Sequence, residues 1–433
     1  MLDINLIRQN PEKVKEGIEK KGTDPKLVDR FLRFDEKWRE ISELLGKLQA
    51  EQNKISKEIA GDKSSHLLSH AHVLKKRIAE VKSDRDDLEK KREEVLEQLP
   101  NLPFDDVPVG KDESGNVVLR KVGNKKDFDF KFKDYLALGE SLDLIDMKTA
   151  AEVSGSRFSY LKRDAALLEF ALVQYTLATL SNEKDLTKIA KRFNLEDVSV
   201  KPFIPVIPPQ MVKAEVMKKM ARLEPKEERY HIPSDDLYLV GSAEHSLGPM
   251  HMDQVFSKED LPIRYLGFST SFRREAGSYG KDTKGILRVH QFDKLEMESF
   301  CLPEASRKEQ EFFVACQEYL MQELEIPYQV VEICTGDMGA PDARQIDIEA
   351  WLPSENRYRE THTADLMTDY QARRLGTKVR LNNKTEFVHM IDATAFAIGR
   401  TLIAILENYQ TEEGTVKVPK ALQKYVGKKE IKR

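Results

Sequence analysis

The stretch Phe268–Glu298, FSTSFRREAGSYGKDTKGILRVHQFDKLEME, decides how the rest of the chain is read. It divides into two extended segments joined by a loop that Gly277, Gly280 and Gly285 punctuate, where the backbone is expected to turn. Side chains of a strand alternate between its faces, so Ser271, Arg273 and Glu275 share one face of the first segment. On the second, Arg288, His290, Phe292, Lys294 and Glu296 fall together, while Leu287, Val289, Leu295 and Met297 take the other face. The apolar face suits a core. The opposite face carries cations, carboxylates and one aromatic ring, which are unfavourable to bury without partners. It is either the exposed side of a charged hairpin or a ligand platform, where an arginine holds a phosphate and a phenylalanine stacks on a base.

Composition narrows the class. The chain has 433 residues, enough for two or three domains. It is 33% charged with a net charge of −4, so nucleic-acid contacts must come from local patches and not from a global basic field. Cys301, Cys316 and Cys334 lack paired metal-ligand spacing and are too few for a disulfide framework, so no structural zinc is expected and a reducing cytoplasm is the expected setting. No apolar run approaches membrane-spanning length, and MLDINLIRQN is too polar for a secretory signal, so no membrane partner is expected.

The first hundred residues read as an arm. After a short lead ending near Gly22, Asp24-Pro25 marks a helix start. Apolar residues then recur at alternating spacings of four and three from Leu27 through Phe31, Phe34, Trp38, Ile41, Leu45, Leu48 and Ile55 to Ile59, with Gln52 filling the one missed position. The segment Gly61-Asp62-Lys63-Ser64 interrupts them, and the pattern resumes from Leu67 to Leu99 with Arg85 and Arg92 in its gaps. Two helices of similar length across a tight turn make an antiparallel coiled-coil hairpin over about 26–100, each arm extending roughly 50 Å, and Pro100 and Pro103 end it. The boundary expected is 1–103 for this domain and 104–433 for the rest. The runs Lys75-Lys76-Arg77 and Lys90-Lys91-Arg92 suit either a solvated face or phosphate contacts.

Beyond the arm, a Pro-, Gly- and Asp-rich connector, 104–126, leads to helices expected at Tyr135–Leu144 and Arg163–Leu180 and a proline-studded strand over Val198–Gln210. A short strand at Tyr238–Glu244 follows, then the opening hairpin, a helix near Pro303–Leu324, and strands at Tyr328–Cys334, Gln345–Trp351 and around Arg359–Thr363. His389–Tyr409 closes the series with a short strand, a turn and a helix carrying Gly399-Arg400. Strands outnumber crossover helices, so an α+β fold with a mostly antiparallel sheet backed by helices is expected. Neither GxxxxGK[ST] nor a GxGxxG strand–helix unit is present, which argues against phosphate binding of those kinds.

Four strings in order then point to one family. The Arg163–Leu180 helix with the strand ending near Pro208 resembles motif 1 of class II aminoacyl-tRNA synthetases. Phe272-Arg273-Arg274-Glu275 with His290-Gln291-Phe292 resembles motif 2, and Ala397-Ile398-Gly399-Arg400 resembles motif 3. FRREAGSYGKDTKG, RVHQFDKLEM, CTGDMG and GRTLIAILENYQ match the seryl branch in particular, and the N-terminal arm is of the kind that seryl-tRNA synthetases use to grip the long variable arm of their tRNA.

The resemblance implies a six- to seven-stranded catalytic sheet, a homodimer through the motif 1 region, and two-step chemistry. Serine and ATP form seryl-adenylate and pyrophosphate, and the seryl group passes to tRNA(Ser), with the selenocysteine tRNA a second candidate acceptor. Carried over residue by residue, Arg273 binds the α-phosphate, Glu275 the adenine amino group, and Phe292 stacks beneath adenine beside the Val289 backbone. Arg400 covers the other face of adenine and reaches the γ-phosphate, with Arg274, Thr361 and His362 also counted on the ATP side. Glu360 and Thr363 hold Mg²⁺ with ATP, and Glu244 and Glu296 hold the serine ammonium, with Ser242, Ala243 and Thr394 around the amino acid.

The sequence departs from the family on the serine side. Ser242-Ala243-Glu244 stands where Thr-x-Glu is usual, Thr363-Ala364-Asp365-Leu366 where Ser-Cys-Ser-Asn is, and Asp392-Ala393-Thr394 where Asn-Gly-Ser/Thr is. Two other readings compete: a related ligase that charges another small amino acid or loads a carrier protein, the arm arguing against the carrier version, and an inactive scaffold, against which Arg273, Glu275, Glu360 and Arg400 argue.

Overall fold

The computed structural model describes residues 1–61, 64–276 and 284–433, so the tip of the arm and much of the Gly277–Gly285 loop lie outside the described residues. The chain forms two compact units, Met1–Leu102 and Pro103–Arg433.

In the first unit the lead is itself helical: α1 (Ile4–Gln9) and α2 (Pro11–Lys20) precede the long α3 (Lys26–Gly61) and α4 (Ser65–Gln98). The helices are short, and only Ile7, Val14 and Ile18 are buried along them, too few apolar positions to reveal a period. Asp24 starts α3 by accepting a hydrogen bond from Lys26 N at 2.9 Å. Arg92, a gap in the apolar repeat of α4, is buried across the ring of Trp38 at 4.1 Å and donates to Asp35 at 3.3 Å. Asp35 is 0% exposed. It also takes a fork of two 2.8 Å bonds from Arg8 on α1. Burial pushes its carboxyl up, but Arg8 above all, with Arg92 and Arg39, holds it below the usual range.

The second unit is built on one twisted sheet. Its strands are β1 (Val117–Val122), β2 (Ile204–Val206), β3 (Ile263–Phe272), β4 (Gln291–Cys301), β5 (Tyr328–Glu332), β6 (Arg344–Leu352), β7 (Arg357–Thr368) and β8 (His389–Ala397). They lie in the order β1-β5-β6-β7-β8-β4-β3-β2, antiparallel throughout except for β2 beside β3. The mostly antiparallel sheet is as expected, with eight strands where six or seven were anticipated. The expected Val198–Gln210 strand shrinks to the three residues of β2, because prolines at 205, 208 and 209 cannot donate to a ladder.

Three helices cover the apolar face: α5 (Asp164–Leu180), α6 (Ser306–Glu323) and α7 (Ile398–Asn408). Leu295 and Met297 of β4 are fully buried there with Phe312 and Phe313 of α6 and Ile403 of α7, as the alternation of the hairpin required. One detail of this layer opens the other face. β7 and β8 pair through Ala364–Ala393 and Asp365–Asp392, and the ladder stops short of Thr363 and Thr394. The Gln317 side-chain amide of α6 donates to both orphaned carbonyls, at 2.8 Å to Thr363 and 2.9 Å to Thr394. The two strands part at this point with both of these carbonyls satisfied. Among the described residues no helix is long and apolar enough to cross a membrane.

Candidate active site

The cleft lies on the polar face where β7 and β8 part, a cavity of about 110 Å³ between β4, β7, β8 and the start of α7. Arg273, Glu275, Val289, Phe292, Glu360, Thr361, Thr363, Thr394 and Arg400 all line it, together with Lys294 and Arg288. The strands are shorter than the alternation suggested: β3 ends at Phe272 and β4 begins at Gln291, so Arg273–Glu275 and Arg288–His290 are irregular. What holds them is pairing outside the ladder. Arg273 N donates to His290 O at 3.0 Å, and the His290 ring contacts Arg273 O through Nδ1 at 3.0 Å. Glu275 adopts φ 52°, with its carboxylate held by Arg288 at 2.8 Å and its carbonyl by Arg157 at 3.2 Å. Gly285, at φ 75°, leaves no room for a side chain beside Tyr135, whose hydroxyl accepts from Ile286 N at 3.2 Å and donates to Lys284 O at 3.3 Å.

The cations are fixed before any ligand arrives. Arg273 donates through Nε to Gly241 O at 3.1 Å and sits 5.4 Å from the Phe292 ring centroid. Arg400 donates to both the carbonyl and Oε1 of Glu360 at 2.9 Å. The Glu360 side chain is half exposed to the cleft. Desolvation pushes its carboxyl up, but Arg400, Arg273 and Lys294 outweigh it and keep it below the usual range. Thr363 Oγ1 donates to Asp365 at 2.8 Å. Burial holds that aspartate well above the usual carboxylate range. Glu360 and Thr363 thus present an all-oxygen donor pair of the type a hard cation takes.

Deeper in, Ser242, Glu244 and Glu296 are buried. Glu296 pairs with Lys294, whose ammonium also donates to Ser242 Oγ at 3.2 Å. Glu244 is gripped by Arg222 Nε at 2.8 Å, and Arg222 Nη2 reaches Asp392 at 3.2 Å. Burial raises Glu244, but Arg222 and His245 bring it well below the usual range. His245 itself is driven down to about 4 by burial and is neutral, accepting from Gly241 N at 3.1 Å.

Three predicted site residues stand apart from the cleft. His362 alternates to the core side, 5.4 Å from Phe396, and burial lowers it to about 3. Arg274 does not line the cleft and its backbone N–H donates to Glu228 O at 3.1 Å, and Ala243 packs against Gly267. The sequence reading missed Arg222 and Glu298. Glu298 was accessible, two residues beyond Glu296 on the same face; Arg222, in a loop about 70 residues upstream of the β4 carboxylates, carried no local signal.

Comparison with known proteins agrees with this architecture. Residues 1–103 match the seryl-tRNA synthetase N-terminal domain, and 228–409 the class II tRNA synthetase core domain for G, H, P, S and T. A serine–tRNA ligase of Dictyoglomus turgidum is 41% identical over 100% of this chain and 99% of its own. One from Pyrococcus horikoshii is 41% identical over 100% and 97%. The crystal structure of the P. horikoshii seryl-tRNA synthetase complexed with ATP superposes with a TM-score of 0.89 at 40% identity, covering 100% of this chain and 99% of that one. A cytoplasmic serine–tRNA ligase of Naegleria fowleri in complex with AMP gives 0.85 at 32%, with the same coverage. With both its units matched and full-length relatives at this identity, the chain belongs to the seryl-tRNA synthetase family.

Proposed function

We propose that this ATP-dependent serine–tRNA ligase activates serine in the cleft between β7 and β8 by positioning and charge stabilisation, without a protein nucleophile. The carrying observation is the convergence of Arg273, Arg400 and Glu360 on one cleft, which Lys294 also lines while pairing with the buried Glu296. Adenine stacks on Phe292, with its amino group on Glu275, and Arg400 closes the opposite face. Arg273, already fixed by Gly241 O, neutralises charge at the α-phosphate while the serine carboxylate attacks in line. Serine's ammonium is taken by Glu244 and Glu296. Lys294 lies on Glu296 and Ser242, so it shifts toward the phosphate side as the ammonium enters.

Glu360 and Thr363 fit Mg²⁺, which when bound with ATP supplies charge neutralisation on the phosphates. In the second step the seryl group moves from the adenylate to the terminal adenosine of tRNA, whose long variable arm α3 and α4 grip. The exposed apolar side chains Phe170 on α5 and Ile207 beside β2, 58% and 84% exposed, support a homodimer through this region. Amino-acid-dependent ATP–pyrophosphate exchange tests the activation step. Serine dependence is expected, and exchange with threonine or alanine but not serine would overturn the substrate assignment.

A further inference from the structure

Beside the cleft the chain buries more carboxylate than one α-ammonium accounts for. Glu296 and Glu298 lie two residues apart on one face of β4, and Asp392 stands opposite Glu298 on β8. Their exposures are 0%, 0% and 1%. Opposite Glu296 on β3 is Gly267, against which Ala243 packs closely, and this brings Glu244 down onto the sheet. Carboxylate oxygens of Glu244, Glu296 and Asp392 consequently fall within 4.8 Å of one another. Arg222 serves Glu244 and Asp392, and Lys294 serves Glu296. Among the described residues no hydrogen-bond donor reaches either oxygen of Glu298 or Oδ1 of Asp392. Carboxylate lone pairs buried without a donor are strongly unfavourable.

On the serine-ligase reading above, we propose that the pocket also activates an α-amino acid with a second ammonium on its β-carbon, 2,3-diaminopropionate, the extra ammonium lodging between Glu298 and Asp392. The side chain is isosteric with serine's CH₂OH but offers three N–H donors in place of one O–H. Burial and the neighbouring carboxylates push Glu298 and Asp392 well above the usual range, a penalty that an adjacent organic cation removes. A metal ion is the poorer occupant of the Glu244, Glu296 and Asp392 trio, because Arg222 and Lys294 already place N–H donors on those carboxylates. The reaction balances as it does for serine. A carboxylate oxygen bonds to the α-phosphorus, the bond from phosphorus to the bridging oxygen breaks, pyrophosphate leaves, and the side-chain ammonium keeps its protons.

Pyrophosphate exchange by the full chain is measured with L-serine, L-2,3-diaminopropionate and L-alanine. Exchange with serine and diaminopropionate, the latter exceeding alanine by at least about tenfold in kcat/KM, is expected. Glu298→Gln and Asp392→Asn should each lower the diaminopropionate-to-serine ratio of kcat/KM by about tenfold or more. Normal serine exchange with diaminopropionate at or below the alanine level overturns the inference and leaves the ligase reading standing. A ratio unmoved in both variants also overturns it. Exchange with none of the three overturns the ligase reading and the inference together. If a variant fails to fold, the comparison of the three amino acids on the parent chain still decides.

Discussion

Replacing Arg273 with alanine separates a positioned charge from a bystander. Its guanidinium is held by two contacts that exist without substrate, Nε on Gly241 O at 3.1 Å and the Phe292 ring at 5.4 Å. The cation is therefore preorganised, and little of its effect is spent on ordering a long side chain at the moment of reaction. Removing one such charge-stabilising donor costs ~2.7–4 kcal/mol, a fall of about 10²–10³ in kcat. A second, smaller effect follows at Glu360, where Arg273 is one of the cations keeping the carboxylate ionised. Arg273→Lys keeps the charge but loses the planar fork that reaches Gly241 and the phosphate at once, so it should recover only part of the rate. The assay is serine-dependent pyrophosphate exchange at saturating ATP, with thermal melting to confirm that each variant is folded. The expected loss lies in kcat. An Arg273→Ala variant within tenfold of the parent in kcat, or one impaired in ATP KM alone, would refute the argument that this arginine acts on the transition state.

Other expectations concern the rest of the chain. Deleting the arm from Leu27 to Leu99 should leave pyrophosphate exchange largely intact while sharply lowering tRNA charging; charging that survives the deletion would remove the arm from tRNA recognition. Asp35→Ala strips the partner from buried Arg92 and should destabilise the N-terminal unit by ~3–5 kcal/mol in urea unfolding, whereas a loss below about 1 kcal/mol would mark the pair as dispensable. Because Asp35 is held below its unfolded value, its contribution is present at neutral pH and lost as pH falls through the folded value, so the parent's advantage over Asp35→Asn should shrink in acid. His245 and His362 are depressed to about 4 and about 3. The unfolded chain therefore binds more protons below pH ~6.5, and stability should fall by a few kcal/mol between there and pH ~4, with His362→Gln flattening that slope. Phe170→Asp should yield monomers by light scattering; a persistent dimer would move the interface away from α5.

The polar face of the hairpin was legible because alternation is a rigid rule. Once Leu295 and Met297 were assigned to the core, Phe292, Lys294 and Glu296 had to share the cleft side. The same rule applied to β7 sends His362 to the core, where counting neighbours in sequence had grouped it with Glu360 and Thr363. A bulge in the β6–β7 pairing at Ile348 and Glu349 brings Glu360 to the cleft, where strict alternation would have placed it with His362, and bulges have no sequence signature here. The parting of β7 and β8 was invisible for a different reason. It depends on Gln317, a polar residue on a helix whose partners lie about 46 and 77 residues away. Arg222 was hidden likewise, since nothing local marks a loop arginine that closes a pocket.

Arg92 has one more consequence. Two amphipathic helices slid past each other by a heptad keep nearly all of their apolar contacts, so hydrophobic spacing alone leaves several alignments close in energy. The ion pair with Asp35 discriminates among them, because any slip strands a buried guanidinium and a buried carboxylate at once. By tying α4 to α3 and, through Arg8, to α1 at the root, it dictates which residues of α4 stand at each height along the hairpin. The lysines and arginine at 75–77 are thereby set at a fixed distance from the base, as graduations on a ruler.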